Sequence, residues 1–174
     1  MKPLILTAAT AAAAVVFLTG KVVMKQQATI TKPTPRPILP NNHKLAPRGI
    51  RNNNPLNIEY SSRNNWRGQV GTDGRFAIYE DDKWGFRAAT RILRSYRRRG
   101  VNTIQSIIHT FAPAHENNSD HYANVVSQIT GIDKYAKVDV RNDATAAKLL
   151  QAMAKMEVGH MYPMHEVMEG VKLA

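Results

Sequence analysis

The chain has 174 residues, and 24 Lys and Arg against 13 Asp and Glu give it a formal net charge of +11. Its 43% apolar residues are enough for the core of one ordinary domain, and its charge favours a polyanionic partner such as nucleic acid, anionic lipid or cell wall. The absence of cysteine excludes disulfides, thiol nucleophiles and thiolate metal sites.

The first segment is apolar. Residues 3–20 carry no charge and are rich in Ala, Leu and Val, with Lys2 before them and Lys21 after them. This length lies between the core of a signal peptide and a full membrane span. Neither of the two nearest cleavage candidates, ending at Gly20 and Ala28, has a small upstream residue. We therefore interpret residues 1–25 as an uncleaved membrane anchor, with a cleaved signal peptide as the alternative and the orientation left open.

Residues 26–46 are rich in proline, with Pro33, Pro35, Pro37 and Pro40 spaced along them. Spaced prolines favour an extended, semi-rigid spacer that does not join a packed core. A ligand for a proline-binding module is the alternative. The chain thus divides into an anchor (1–25), a Pro-rich linker (26–46) and a globular domain (47–174).

The globular domain begins with an asparagine-rich box at residues 51–58, in which four asparagines surround Pro55. Asn tolerates left-handed backbone and bonds its own neighbours, so the box predicts an ordered turn system. Residues 68–79 follow, with Asp73 and Gly74 at their centre, and predict a β-hairpin.

An amphipathic helix follows the hairpin and stops at Gly100. Its predicted apolar side carries Trp84, Ala88, Ile92 and Tyr96, and its polar side carries Arg87, Arg91, Arg94 and Arg98.

Four more helices are predicted, each delimited by a capping residue or by Gly or Pro. Their starts are Asn102 or Thr103, Ser119, Asp143 and Pro163, and their ends are Pro113, Gly131, Gly159 and Val171. The first two have apolar faces formed by Ile104, Ile107, Ile108 and Phe111, and by Tyr122, Val125, Val126 and Ile129. The predicted fold class is mainly α with a small β-hairpin.

The stretch from the box to this first helix resembles a family of phage and prophage proteins. Those proteins carry an R-N-N-N-P-G-N-I box, then W-x-G, an F-A-x-Y strand and a G-x-R-A helix. This chain has RNNNPLNI at 51–58, WRG at 66–68, FAIY at 76–79 and GFRA at 85–88. The resemblance implies a lysozyme-like α+β fold that cleaves peptidoglycan glycan strands. Leu56 replaces the family's usual Gly, and it would be strained if the position requires a positive φ.

Glycan cleavage requires a carboxylic acid that stays protonated near neutral pH. Candidates in and near the domain are Glu59, Glu80, Glu116, Glu157 and Glu166. Glu157 meets the requirement best, because it shares a helix face with Ala146, Leu150 and Met153 and therefore points toward the core. It also lies in the last helical turn, where burial and the helix dipole both raise a carboxyl pKa.

The segment around Glu157 carries a second resemblance. AKMEVG at 154–159, followed by Pro163, is similar to the helix end that carries the acid/base Glu of lytic transglycosylases. In those enzymes the Glu helix precedes the box and hairpin, so the resemblance implies a circular permutation. The alternative is a helix-end Glu157 that faces solvent or pairs with Lys155 or His160.

Other acidic residues have structural interpretations beside catalytic ones. Glu116 is the second catalytic candidate, since residues 112–119 resemble a connection in the same family, but it can equally cap the next helix. Glu80 belongs to a predicted capping cluster with Asp81 and Asp82. Asp73 is a candidate second carboxylate, although the hairpin turn already explains it.

The residues proposed to bind substrate do not titrate usefully, so we expect structural or substrate-lining roles for them: Asn52, Asn54, Asn57, Trp66 and Tyr79. The six histidines are scattered, with no i, i+4 pair on one helix. No metal site and no cofactor is therefore predicted.

We expect a membrane-anchored, phage-type enzyme that degrades peptidoglycan, with its globular domain facing the cell wall from a virion membrane or host inner membrane. A single acid/base Glu favours a lytic transglycosylase over a lysozyme-like muramidase. Two alternatives remain, a non-enzymatic virion structural protein with this fold and a basic nucleic-acid-binding protein. The second rests on Arg94, Arg97, Arg98 and Arg99, which no base-reading motif accompanies.

Overall fold

A computed structural model describes residues 46–112 and 118–174, which form six helices and one two-stranded antiparallel sheet. The elements in chain order are α1 Arg48–Arg51, β1 Gln69–Thr72, β2 Ala77–Tyr79, α2 Asp82–Arg98, α3 Ile104–Phe111, α4 Ser119–Thr130, α5 Asp143–Val158 and α6 Met164–Lys172. The mainly α fold with a small hairpin is therefore confirmed. The predicted anchor, nearly all of the predicted linker, and Glu116 lie outside the described residues. No helix in the described ranges is long and apolar enough to cross a membrane.

Helix α5 forms the centre of the domain and packs against α1, α2, α4 and α6. Half of its residues are buried: Ala146, Ala147, Leu149, Leu150, Ala152, Met153, Ala154 and Val158. The helix ends at Gly159 (φ 70°), as predicted, but its cap is Asn142 rather than Asp143. Asn142 accepts a hydrogen bond from the backbone N–H of Thr145, while Asp143 is the first helical residue and pairs with Arg94 at 2.8 Å.

The buried face of α2 differs from the predicted one. It is centred on Phe86, Ala89 and Leu93, and of the predicted stripe only Ala88 is fully buried. Trp84, Ile92 and Tyr96 lie half-buried at its margin and pack against the core. The reason is the close approach of α6, because a Cβ at Gly170 would lie 2.5 Å from the Cβ of Phe86. Because Gly170 has no side chain, α6 can approach α2 closely. The larger rings of Trp84 and Tyr96 lie at the edge of the core.

Helices α3 and α4 keep most of their predicted boundaries. Thr103 caps α3 in a reciprocal capping box with Ser106. The cap of α4 is Asn118 rather than Ser119, because the Asn118 side chain accepts from the N–H of His121 while the Ser119 hydroxyl donates to the carbonyl of Ala112.

The buried face of α4 also differs from the prediction. Ile129 is exposed and Thr130 is buried in its place, with its hydroxyl donating to the carbonyl of Val126 at 2.7 Å. This satisfied hydroxyl allows a polar residue to occupy the core face. Gly131 ends the helix with φ 66°, as expected.

The asparagine-rich box is an ordered turn system, as predicted. The left-handed positions are Asn53 (φ 48°) and Asn57 (φ 46°), and Leu56 is fully buried outside that region. The strain considered for Leu56 therefore does not arise. The hairpin that follows pairs Gln69 with Tyr79, and a register shift lies between Gln69 and Gly71.

Gly85 in α2 is expected to tolerate no side chain. A Cβ there would lie 2.6 Å from the Cδ of Pro55 and 2.8 Å from the carbonyl oxygen of Asn53. Gly85→Ala should therefore lower the free energy of unfolding by about 1–3 kcal/mol, although Ala ordinarily stabilises a helix. Urea unfolding measures the change, and Ser95→Ala in the same helix is the control. A Gly85→Ala protein more stable than the parent would contradict the close approach.

Candidate functional site

An open cleft of about 950 Å³ contains Glu157. The end of the asparagine-rich box, the residues just before β2, one face of α2, the start of α4 and the C-terminal ends of α3 and α5 meet around it. Its described lining is Leu56, Asn57, Ile58, Glu59, Arg75, Phe76, Ile92, Tyr96, Thr110, Phe111, Ala112, Asn118, His121, Tyr122, Met156 and Glu157. Aromatic and aliphatic walls with a few polar groups are typical of a ligand-binding cleft.

Glu157 lies at the end of α5, half-buried, as the helical stripe predicts. The Tyr122 hydroxyl donates to its Oε1 at 3.0 Å, and Asn57 Nδ2 donates to its Oε2 at 3.1 Å. Neither Lys155 nor His160 bonds its carboxyl in the described structure. Lys155 Nζ instead donates to the carbonyl of Gly159, and the His160 ring packs edge-on against Tyr162.

The protonation equilibrium of Glu157 is shifted. Burial raises the pKa of this carboxyl above its ordinary 4.5, and the hydrogen bonds from Asn57 and Tyr122 oppose the shift. Burial, together with the charge of Glu157 and the hydrogen bond to it, raises the pKa of the Tyr122 hydroxyl well above 10.0, so this hydroxyl keeps its proton. The site therefore combines a carboxyl that holds a proton more firmly than usual with two neutral donors.

The Tyr122 hydroxyl has two acceptors but one proton. Its oxygen lies 3.0 Å from Glu157 Oε1 and 3.2 Å from the carbonyl oxygen of Met153. When Glu157 is ionised, the hydroxyl can donate to the carboxylate; when Glu157 is protonated, it can donate to Met153 instead. The network can thus satisfy both protonation states of Glu157 without moving a backbone atom.

We expect Glu157 to make stability fall with rising pH. A carboxyl whose folded pKa lies above its unfolded value contributes fully below the unfolded pKa, and the contribution is lost as pH rises through the folded pKa. The window therefore begins near pH 4.5 and extends upward. Denaturant unfolding across this range should show Glu157→Gln gaining stability relative to the parent. Parallel pH profiles of the two proteins would contradict the raised pKa.

Asn57 joins the asparagine-rich box to the end of α5. Its Nδ2 donates to both the backbone carbonyl and the carboxyl of Glu157. Gly49 of α1 packs against the Asn57 amide so closely that a Cβ there would lie 2.6 Å from Oδ1. The left-handed backbone of Asn57 and this missing Cβ together fix the amide beside the carboxyl.

The other asparagines of the box hold the hairpin. Asn54 is fully buried, and its side chain bonds both backbone groups of Ile58 and the carbonyl of Ala77. Asn53 donates to the carbonyls of Tyr79 and Glu80, and Asn52 donates to Asp73. Asn52 and Asn54 are nearly or fully buried, so the structure places both in supporting positions.

Asp73 at the hairpin tip is fully engaged by its neighbours. The backbone N–H of Phe76 and the Asn52 amide are the main causes that lower its pKa to about 2, and the N–H of Arg75 and the charge of Arg48 add to them. It is not among the lining residues of the cleft. These contacts agree with a role for Asp73 in the hairpin turn rather than as a second catalytic carboxylate.

The two aromatic candidates do not lie beside Glu157. Tyr79 is 1% exposed, and burial raises the pKa of its hydroxyl, so the structure places it in the core. Trp66 lines a separate cleft. A substrate in the main cleft would instead meet the rings of Phe76, Tyr96 and Phe111.

The remaining glutamates have other surroundings. Glu59 lines the cleft but is exposed and paired with Arg75 at 2.9 Å. Glu80 is exposed beside Asp81, which caps α2 as predicted by accepting from Lys83, and Glu166 lies in the first turn of α6. No three His, Asp or Glu side chains among the described residues come together as a metal site.

Sequence reasoning missed the partners of Glu157. Tyr122 was assigned only to an apolar face, although a phenol on an otherwise aliphatic face is itself a signal for a buried hydrogen bond. For Asn57 the sequence predicts a structural or substrate-lining role, but not a contact with Glu157. Its contact with Glu157 spans 100 residues of sequence, which no local pattern encodes.

One curated relative gives an independent comparison. Protein P5 of Pseudoalteromonas phage PM2 is 38% identical to this chain over an alignment of 131 residues that covers 72% of this chain and 80% of that protein. The name of that protein states neither an activity nor a ligand. No protein-family model matches the chain.

Proposed function

Since the chain belongs to the family of protein P5 of Pseudoalteromonas phage PM2, we propose that it acts for a phage, as a lytic transglycosylase that cleaves peptidoglycan glycan strands. The observation that carries the proposal is Glu157, a half-buried carboxyl with a raised pKa that opens into a cleft of about 950 Å³. The lysozyme-like fold implied by the asparagine-rich box and hairpin belongs to the same proposal. Cleavage would open the cell wall locally.

The proposed reaction uses one carboxyl twice. Glu157 gives its proton to the oxygen of the glycosidic bond as that bond breaks, and the leaving strand departs as an alcohol. The carboxylate then accepts the proton of the sugar's own 6-hydroxyl, whose oxygen closes an anhydro ring on the same sugar. Glu157 is thereby protonated again, and no water is consumed.

Tyr122 and Asn57 suit both halves of this cycle. Asn57 Nδ2 and the Tyr122 hydroxyl each lie within hydrogen-bonding reach of the carboxyl and hold its two oxygens in place. They stabilise the carboxylate after it has lost its proton, and Tyr122 can turn to Met153 when the proton returns. By holding the Glu157 carboxyl in one orientation, these two residues would contribute to catalysis through positioning.

The lining favours a transglycosylase over a hydrolase. A glycoside hydrolase requires a second carboxylate to activate water or to attack the sugar. Among the described lining residues the other carboxylate is Glu59, which is exposed and paired with Arg75. The Arg75 guanidinium holds one oxygen of this carboxylate at 2.9 Å, which leaves it less available to activate water or to attack a sugar.

Cleavage of purified peptidoglycan by the full chain, kept in an uncharged detergent, tests the function. Mass analysis of the fragments should find anhydro ends, lighter by one water molecule than the reducing ends left by a hydrolase. Fragments with reducing ends would make the protein a muramidase. An intact glycan in the presence of folded protein would favour the structural virion role.

The apolar run at residues 3–20 is proposed to anchor the protein in a membrane, with the globular domain toward the cell wall. The full chain should therefore remain in the membrane pellet after alkaline carbonate extraction. A chain that begins at Ala46 should appear in the soluble fraction. Release of the full chain by carbonate would rule out the anchor.

A further inference from the structure

A second cleft, of about 320 Å³, lies between the loop at residues 63–67 and α2. Four of the residues that line it are arginines: Arg63, Arg67, Arg87 and Arg91. Arg87 and Arg91 are one turn apart and occupy a different face of α2 from Ile92, which lines the main cleft. The two clefts are therefore separate sites on one helix.

The arginine cleft contains no carboxylate among its described lining residues. Many other arginines of the domain form ion pairs with Asp or Glu: Arg48, Arg75, Arg94, Arg97 and Arg141. Within the described residues, Arg63, Arg67 and Arg91 form none, and Arg87 donates its Nε to the backbone carbonyl of Leu173 at 2.9 Å. Four positive charges thus converge without an internal counter-charge.

The arginines of this cleft repel one another. Burial lowers the pKa of Arg87, and the nearby charges of Arg91 and Arg67 lower it further. A bound anion would reverse the effect of these like charges. The amides of Asn64 and Asn65 in the lining also supply donors.

The loop is held rigidly against α2. Gly68 (φ 78°) lies directly on the Trp84 ring, where any Cβ would overlap the indole. The Arg67 guanidinium stacks over the same ring with its central carbon 4.9 Å from the centroid. Backbone hydrogen bonds from Gln69 to Trp66 and from Glu80 to Gly68 complete the support. The loop backbone and the Arg67 guanidinium are therefore positioned by contacts within the protein itself.

We propose that this arginine cleft binds a phosphoryl group bearing two or more negative charges, of the phosphomonoester or diphosphate type. Planar guanidinium forks match phosphate oxygens, and four of them exceed what a single carboxylate would engage. The group can be carried by a lipid headgroup or by a soluble compound. The proposal does not depend on glycan cleavage in the main cleft.

Titration of the full chain with pyrophosphate, in uncharged detergent at fixed ionic strength, tests the site. The protein has two tryptophans: Trp66 lines this cleft, and the Arg67 guanidinium stacks over the ring of Trp84. The Trp66 indole N–H resonance should therefore shift on saturation, and acetate at equal ionic strength should leave it unmoved. No shift at millimolar pyrophosphate would overturn the proposal.

Two double variants separate the cleft from general basicity. Arg63→Gln with Arg91→Gln should weaken pyrophosphate binding roughly tenfold or more, which is the loss expected for charged hydrogen bonds. Arg98→Gln with Lys148→Gln removes the same charge from exposed sites outside the cleft and should change the affinity less than about twofold. Equal losses in the two variants would overturn the proposal in favour of a diffuse basic surface.

Competition identifies the carrier of the phosphoryl group. Vesicles of neutral lipid containing phosphatidic acid should displace pyrophosphate from the parent if the carrier is a lipid, while neutral vesicles should not. Pyrophosphate binding that these vesicles leave unchanged assigns the site to a soluble ligand. Duplex DNA that displaces pyrophosphate equally well from both double variants would indicate a diffuse basic surface and would overturn the proposed site.

Discussion

Replacing Glu157 by Gln is expected to reduce glycan cleavage by a factor on the order of 100 or more while leaving the fold intact. Gln keeps the size of the side chain, and its one amide oxygen can accept from Tyr122 or from Asn57, but it has no acidic proton to give to the glycosidic oxygen. Turnover of purified peptidoglycan, followed by release of soluble fragments, measures the loss. Activity of the parent should also decline as pH rises through the elevated Glu157 pKa, since the acid form is then lost.

Two matched variants make this result specific. Glu59→Gln changes the other described carboxyl of the cleft and should cost much less, because Glu59 is exposed and paired with Arg75. Glu116→Gln should also cost much less. Normal cleavage by Glu157→Gln together with an inactive Glu116→Gln would assign the acid to Glu116 and refute the proposed permutation. Normal cleavage by both would place the proton donor at neither residue.

Asn54→Ala is expected to lower the free energy of unfolding by about 3 kcal/mol or more. Asn54 is fully buried, and its amide bonds the N–H and carbonyl of Ile58 and the carbonyl of Ala77. Each buried group left unsatisfied costs about 1–3 kcal/mol, and water has no route to replace the amide.

Chemical denaturation measures the change, with Asn124→Ala as the control. Asn124 is exposed and accepts from Lys134, so its loss should alter stability by less than about 0.5 kcal/mol. A stable Asn54→Ala protein that binds glycan normally but does not turn it over would instead assign Asn54 to the chemistry.

Local signals predicted the element boundaries well. Gly131 and Gly159 end helices because their left-handed backbone is rarely available to other residues, and Thr103, one of the two predicted caps, begins α3. The caps of α4 and α5 were each misplaced by one residue. Asn118 stands beside Ser119, and Asn142 stands beside Asp143, and all four side chains are good caps.

Packing faces were predicted less well, because they depend on neighbours that the local sequence does not contain. The close approach of α6 at Gly170 selects the buried face of α2, and a satisfied hydroxyl lets Thr130 displace Ile129 from the core. The inward orientation of Glu157 followed from helical spacing alone. Its contacts with Tyr122 and Asn57 join segments 35 and 100 residues away, so only the assembled fold reveals them.

The contact between Asn57 and Glu157 has a consequence for the timing of activity. Asn57 is synthesised 100 residues before its partner, and α5 contacts α1, α2, α4 and α6 in the folded domain. Contacts between segments far apart in sequence require a long loop to close and therefore form slowly. A nascent or prematurely terminated chain that lacks α5 therefore has neither the proposed proton donor nor the central helix of the domain. If the proposed function is correct, a phage would gain a built-in delay, since incomplete copies of the protein could not damage the cell that is still producing them.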